Sequence, residues 1–157
     1  MNRHADRKLS RLYDQDEITG VPTGFTDLDR ILGGMQPSDL LIIAGRTGRG
    51  KTSFMLSMAL NAIKMYHKRV AVFSLEMSND QLASRLIAQE TGINSQRLRQ
   101  GWLEENEWGQ FKEATNLIGN APLYLDDTPA LSVLNLRTKC LHLHNEVKLD
   151  LIVVDYL

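Results

Sequence analysis

The octapeptide Gly45-Arg46-Thr47-Gly48-Arg49-Gly50-Lys51-Thr52 has the spacing G-x-x-x-x-G-K-[ST]. Its glycines let the backbone wrap closely around a phosphate and turn its amide hydrogens inward. A helix that begins here aims its positive end at the same anion. Lys51 is then placed to reach the β- and γ-phosphates of a nucleoside triphosphate, and the Thr52 hydroxyl to ligate magnesium. With Ser53 these residues form the expected nucleotide-binding set, for ATP with Mg2+. The alternative is a glycine-rich turn that matches by chance. A buried strand before the motif and a helix after it supply the context that argues against chance.

Two carboxylates have the setting that such chemistry needs. Leu151-Ile152-Val153-Val154-Asp155 is an apolar run closed by an acid, about a hundred residues after the phosphate loop. A buried strand of this kind delivers one carboxylate to its C-terminal edge, where it holds magnesium, often through water. Val72-Phe73-Ser74-Leu75-Glu76 repeats the pattern. Glu76 could polarise the water that attacks the γ-phosphate; on pattern alone, a solvated strand-end carboxylate is an equal reading. Asp126 and Asp127 also follow a strand, but acids before Thr128-Pro129 read more naturally as turn formers. His142 and His144, two apart on a helix, point to different faces and cannot chelate one metal. Trp108 and Phe111 at helical spacing read as core more than as a base-stacking platform.

These residues need strands and helices in alternation to hold them. Asp39 to Ala44, Val70 to Leu75, Pro122 to Leu125 and Leu149 to Asp155 read as four strands. Between them the pattern predicts helices over Thr26–Leu32, Thr52–His67, Ser78 to about Gly92, Glu104–Ile118 and Ser132–Val147. The second is apolar nearly all round and is expected to be largely buried. Ser78 and Gln81 match a capping box. Val133, Leu136, Cys140, Leu143 and Val147 give the last helix one apolar face. The implied fold class is α/β, with a mostly parallel sheet flanked by helices. Residues 1–17 are polar and read as a linker or N-terminal arm, and 18–157 as the domain.

The 157 residues carry a net charge of −1, so nothing global draws the chain to nucleic acid or to an anionic membrane. Contact with DNA has to come from a local patch or from a ring of subunits. One cysteine, Cys140, forbids an internal disulfide and agrees with a reducing compartment. No stretch is apolar enough for a membrane helix, and the charged N-terminus lacks a secretory pattern. A cytoplasmic location is expected.

With these residues placed, the chain resembles the C-terminal, RecA-like ATPase domain of the DnaB-type replicative DNA helicases. The resemblance runs over roughly residues 18 to 157. It rests on Ile18 to Asp29, Gln36-Pro37-Ser38-Asp39-Leu40, Gly101-Trp102-Leu103, Tyr124-Leu125-Asp126-Asp127 and Val153 to Leu157. The most telling phrase is Phe73-Ser74-Leu75-Glu76-Met77-Ser78. The resemblance implies that Lys51 and Thr52 bind phosphate and magnesium. It makes Glu76 the base for water and Asp155 the magnesium carboxylate. It further implies ATP hydrolysis coupled to translocation on single-stranded DNA and duplex unwinding by a homo-hexamer. Helicase loader and primase follow as partners, and residues 1–17 become the linker that donates a helix to the adjacent subunit.

Two departures stand out. The family usually has Pro after the loop arginine, where Thr47 stands here, and Arg49 is bulky before Gly50. Both occupy variable positions, so phosphate binding is expected to survive. The chain also stops two residues after Asp155. In RecA-like sheets the next strand lies between the phosphate-loop strand and the Asp155 strand, and its absence leaves unpaired backbone at the sheet centre. A fragment or truncated copy of a longer helicase is therefore expected. Its γ-phosphate sensor, arginine finger and DNA-binding loops would lie outside this sequence. Two competing readings are another RecA-like ATPase, which Phe73 to Ser78 argues against, and a non-catalytic ATP-binding fragment.

Overall fold

The computed structural model describes residues 18–155, so the expected linker 1–17 lies outside the described residues. In chain order the elements are α1 (Thr26–Leu32), α2 (Lys51–Tyr66), β1 (Val70–Ser74), α3 (Asn79–Thr91) and α4 (Ser95–Gln100). They continue with α5 (Glu107–Gly119), β2 (Leu123–Asp126), α6 (Val133–Val147) and β3 (Leu151–Asp155). The three strands form one sheet in the order β2-β1-β3, and both pairings are parallel. Helices cover both faces, as a parallel sheet requires.

β1 is the centre of the sheet. All five of its residues are buried, and their alternation feeds two separate cores. Val70 and Val72 pack with Leu56, Ala59, Leu60 and Ile63 of α2 and with Leu82 and Leu86 of α3. Ala71 and Phe73 point the other way, to Leu149 and the half-buried Leu136, Cys140, Leu143 and Val147 of α6. A two-residue period in the strand thus meets a three-to-four-residue period in each helix. At the end of the expected α6 stripe Val133 is 68% exposed, and on α2 Met65 is 60% exposed, so neither apolar pattern is buried along its full length. Trp108 meets Phe111 edge-on at 5.9 Å but stays 50% exposed, which places the pair at the rim rather than in the core.

The helix boundaries follow local chemistry. Ser78 accepts from the Gln81 amide while the Gln81 side chain accepts from the Ser78 amide, the expected capping box. Gly92 ends α3 at a φ of 73°, where a side chain would be strained. The short α4 was not visible in the sequence pattern; Asn94 starts it by accepting from the Gln96 and Arg97 amides.

One expected strand is absent. Residues 39–44 form no ladder among the described residues, and Leu40 and Ile42 are 85% and 76% exposed. Composition can favour an extended run, but a strand exists only when a neighbour takes its backbone hydrogen bonds. No described strand pairs with this run, and β3 is paired on one side only, so the sheet is incomplete.

The segment before α1 is held by a device the sequence reading did not assign. Asp29 is 3% exposed, and its Oδ1 accepts from the Thr23 amide and the Thr23 hydroxyl, each at 2.7 Å. Its Oδ2 accepts from the Gly24 amide at 3.0 Å. Asn61 of α2 donates to the Thr23 carbonyl at 3.2 Å, and Phe25 stacks on Phe54 with centroids 5.0 Å apart. The carboxylate thus folds the segment into a knot that sits on the helix carrying Lys51 and Thr52. Asp29→Ala strands three donors in a dry site and is expected to lower unfolding free energy by about 2–4 kcal/mol. The midpoint of chemical denaturation reads this; a change below about 0.5 kcal/mol would rule out the knot as a structural element.

Candidate functional site

The phosphate loop runs from residue 45 into α2. Gly48 and Gly50 adopt φ values of 75° and 86°, which any side chain would resist. Gly50 caps α2 with no side chain of its own, so the first-turn amides of the helix are left facing the loop. Lys51 donates from Nζ to the Gly45 carbonyl at 3.0 Å, which ties the base of the loop to its end.

β3 brings the distant acid to this place. Asp155 is 1% exposed and pairs in register with Ser74 at the end of β1. Its Oδ2 accepts from the Thr52 hydroxyl at 2.7 Å. Its Oδ1 is buried and has no hydrogen-bond partner. An orphaned carboxylate oxygen beside a threonine hydroxyl has the chemistry of a magnesium site. No group of three His, Cys, Asp or Glu able to hold a metal occurs among the described residues. Magnesium usually takes one or two protein ligands and fills the rest with phosphate oxygens and water.

Glu76 follows β1 by two residues. The Leu75 amide donates to the Asp155 carbonyl at 2.7 Å, and the Met77 amide donates to the Ser74 hydroxyl at 3.0 Å. The neighbouring strands thus set two carboxylates at one sheet edge, one buried and one exposed.

A cleft of about 690 Å³ joins these groups, a size suited to a nucleotide. One wall is Thr47, Gly48, Gly50, Lys51, Thr52 and Ser53, with Glu76 and Asp155 beside it. Of the sequence-predicted residues, Gly45, Arg46 and Arg49 belong to the loop but do not line the cleft. The opposite wall was missed: Gln81, Ser84 and Arg85 from α3, and Ser95 and Arg99 from α4. The signal was present for α3, because Gln81, Ser84 and Arg85 form a polar stripe opposite buried Leu82 and Leu86.

Asp126 and Asp127 do not enter this cleft. Asp126 accepts from the Thr128 amide at 2.9 Å, a turn-forming contact, and from Lys139 of α6. Burial pushes its carboxyl up, but the hydrogen bonds from Lys139 and Thr128 and the lysine charge outweigh this and hold it below its ordinary value. Asp150 behaves alike, with burial opposed by Arg69. Asp127 accepts from the amide and side chain of Asn79 at 2.9 and 3.1 Å.

Residues 20–157 match the model of the DnaB-like helicase C-terminal domain. Over 150 residues the chain is 47% identical to the replicative DNA helicase DnaB of Geobacillus stearothermophilus, covering 95% of this chain and 33% of that one. It is 45% identical over 141 residues to the replicative DNA helicase DnaC of Bacillus subtilis, covering 90% and 31%. The chain therefore spans about a third of the length of the curated relatives it matches. Among solved structures, an ATPase domain superposes with a TM-score of 0.83 at 31% identity, over 97% of this chain and 56% of that one. A DnaB-like replicative helicase, described with its interactions with primase, gives 0.79 at 30% identity, over 95% and 37%. With its parallel sheet, phosphate loop and paired acids, this chain belongs to the DnaB-like helicase C-terminal domain family.

Proposed function

We propose that the chain is the ATP-binding part of a replicative DNA helicase, in which ATP hydrolysis drives translocation on single-stranded DNA and duplex unwinding. The observation that carries the proposal is the contact between Thr52 and Asp155, whose second carboxylate oxygen is buried and unpartnered at the mouth of the phosphate loop. In this reading the loop amides from Gly45 to Ser53 cradle the phosphates, and Lys51 takes the β- and γ-oxygens. Thr52 and Asp155 hold magnesium, which neutralises charge on the phosphates when bound. Glu76 accepts the proton of the attacking water.

By the same proposal the complete protein is a homo-hexamer on single-stranded DNA, served by a loader and a primase, with residues 1–17 linking subunits. The relative described with primase supports the last partner. The test is steady-state ATP hydrolysis by the complete protein with and without single-stranded DNA, together with unwinding of a forked duplex. Hydrolysis stimulated severalfold by the strand, with unwinding that requires ATP, is the expected result. ATP binding without turnover in the complete protein would overturn it and leave a non-catalytic binding module.

A further inference from the structure

Glu76 stands in an exposed loop between β1 and α3, where an unrestrained side chain would sweep a wide arc. Four hydrogen bonds outside the capping box fix this loop. The Leu75 amide is tied to the Asp155 carbonyl, before Glu76. The Met77 amide is tied to the Ser74 hydroxyl, but Ser74 ends β1 itself, so this bond shapes the loop from within. Beyond Glu76, the first residue of α3 is held by Asp127: the Asn79 amide donates to Asp127 Oδ2 at 2.9 Å and Asn79 Nδ2 donates to Oδ1 at 3.1 Å. Of these ties, only the pair to Asp127 references the far side of the loop, through a side chain, to the residue that follows β2. Asp127 in turn follows Asp126, which is in register with Phe73 and held by Lys139 of α6.

We infer that Asp127 is a positioning residue for hydrolysis: its two-point grip on Asn79 sets the distance of the Glu76 carboxylate from the phosphate loop. The inference rests on the assignment of Glu76 as base. Small misplacements of a catalytic group cost rate rather than affinity, because the nucleotide is bound by the loop and not by Glu76. One carboxylate satisfies both an amide hydrogen and a side-chain amide, a two-point contact that also fixes orientation. An asparagine at 127 keeps one acceptor and one such bond.

The experiment is steady-state ATPase kinetics on the complete protein carrying Asp127→Ala, Asp127→Asn and Glu76→Gln, singly, with Asp127→Ala also combined with Glu76→Gln. Asp127→Ala is expected to lower kcat about tenfold with KM for ATP unchanged within about twofold, and Asp127→Asn, which keeps one of the two bonds, to fall between Asp127→Ala and the unaltered protein. In the Glu76→Gln background, Asp127→Ala is expected to cost nothing further, because both act through one carboxylate. Asp127→Ala with an unchanged kcat, or with a raised KM alone, overturns the inference, as does a full additional loss in the double variant. Should Asp127→Ala fail to fold, Asn79→Ala removes only the side-chain donor and is held to the same split of kcat from KM. If Glu76→Gln itself turns over normally, the base assignment fails, a result distinct from any outcome at Asp127.

Discussion

Lys51→Ala is expected to weaken binding of magnesium-ATP by on the order of a hundredfold or more, to the point where micromolar titrations show none. Two losses combine. An ammonium on phosphate oxygens is a charge-assisted contact, worth about 1.5–3 kcal/mol, and its removal leaves the anion facing a loop with one cation fewer. The second loss is structural, because Lys51 Nζ also holds the Gly45 carbonyl at 3.0 Å and so joins the two ends of the loop. Isothermal calorimetry with magnesium-ATP measures the outcome. An affinity within about threefold of the unaltered protein would remove Lys51 from the phosphate site. The fold should be unaffected, since Lys51 lies at the first turn of α2 and outside the buried cluster.

Glu76→Gln should separate binding from chemistry. The substitution keeps size and hydrogen-bonding capacity but cannot take a proton, and the loss of a general base commonly costs about 10²–10⁴ in rate. Affinity for ATP should stay within about threefold, because in this reading the phosphates are met by the loop and by Lys51 and not by Glu76. Single-turnover hydrolysis in the complete protein reads the rate. Turnover near the original level would exclude Glu76 as the base and return it to a solvated strand-end acid. The pairing of the two variants is informative: one abolishes occupancy, the other traps it.

What the sequence made legible was local. The phosphate loop is a contiguous pattern, and the Ser78–Gln81 capping box spans four residues, so each could be read without knowing what packs against it. Asp155 was legible because a buried run ending in acid announces its own strand edge. The failures are all matters of partnership. Asp39 to Ala44 have the composition of a central strand, but no described strand pairs with them, and Leu40, Leu41 and Ile42 are exposed. Asp29 lies in the first turn of α1, and nothing local in sequence marks it as the acceptor for Thr23 and Gly24. For Asp127 the turn reading is not contradicted, but its contact with Asn79, 48 residues earlier, had no local signal. Arg85 and Arg99 come from two different helices, and only the placement of α3 and α4 turns them toward a common wall.

The bond from Thr52 to Asp155 spans 103 residues. Closing a loop of that length costs about 4 kcal/mol in chain entropy, so this contact cannot form early or alone. The two side chains meet only because β1 and β3 pair in register, with Ser74 beside Asp155, so the contact depends on the sheet and not on local sequence. By the proposal above, the magnesium site is therefore a product of tertiary structure, complete only with β3 in its register beside β1.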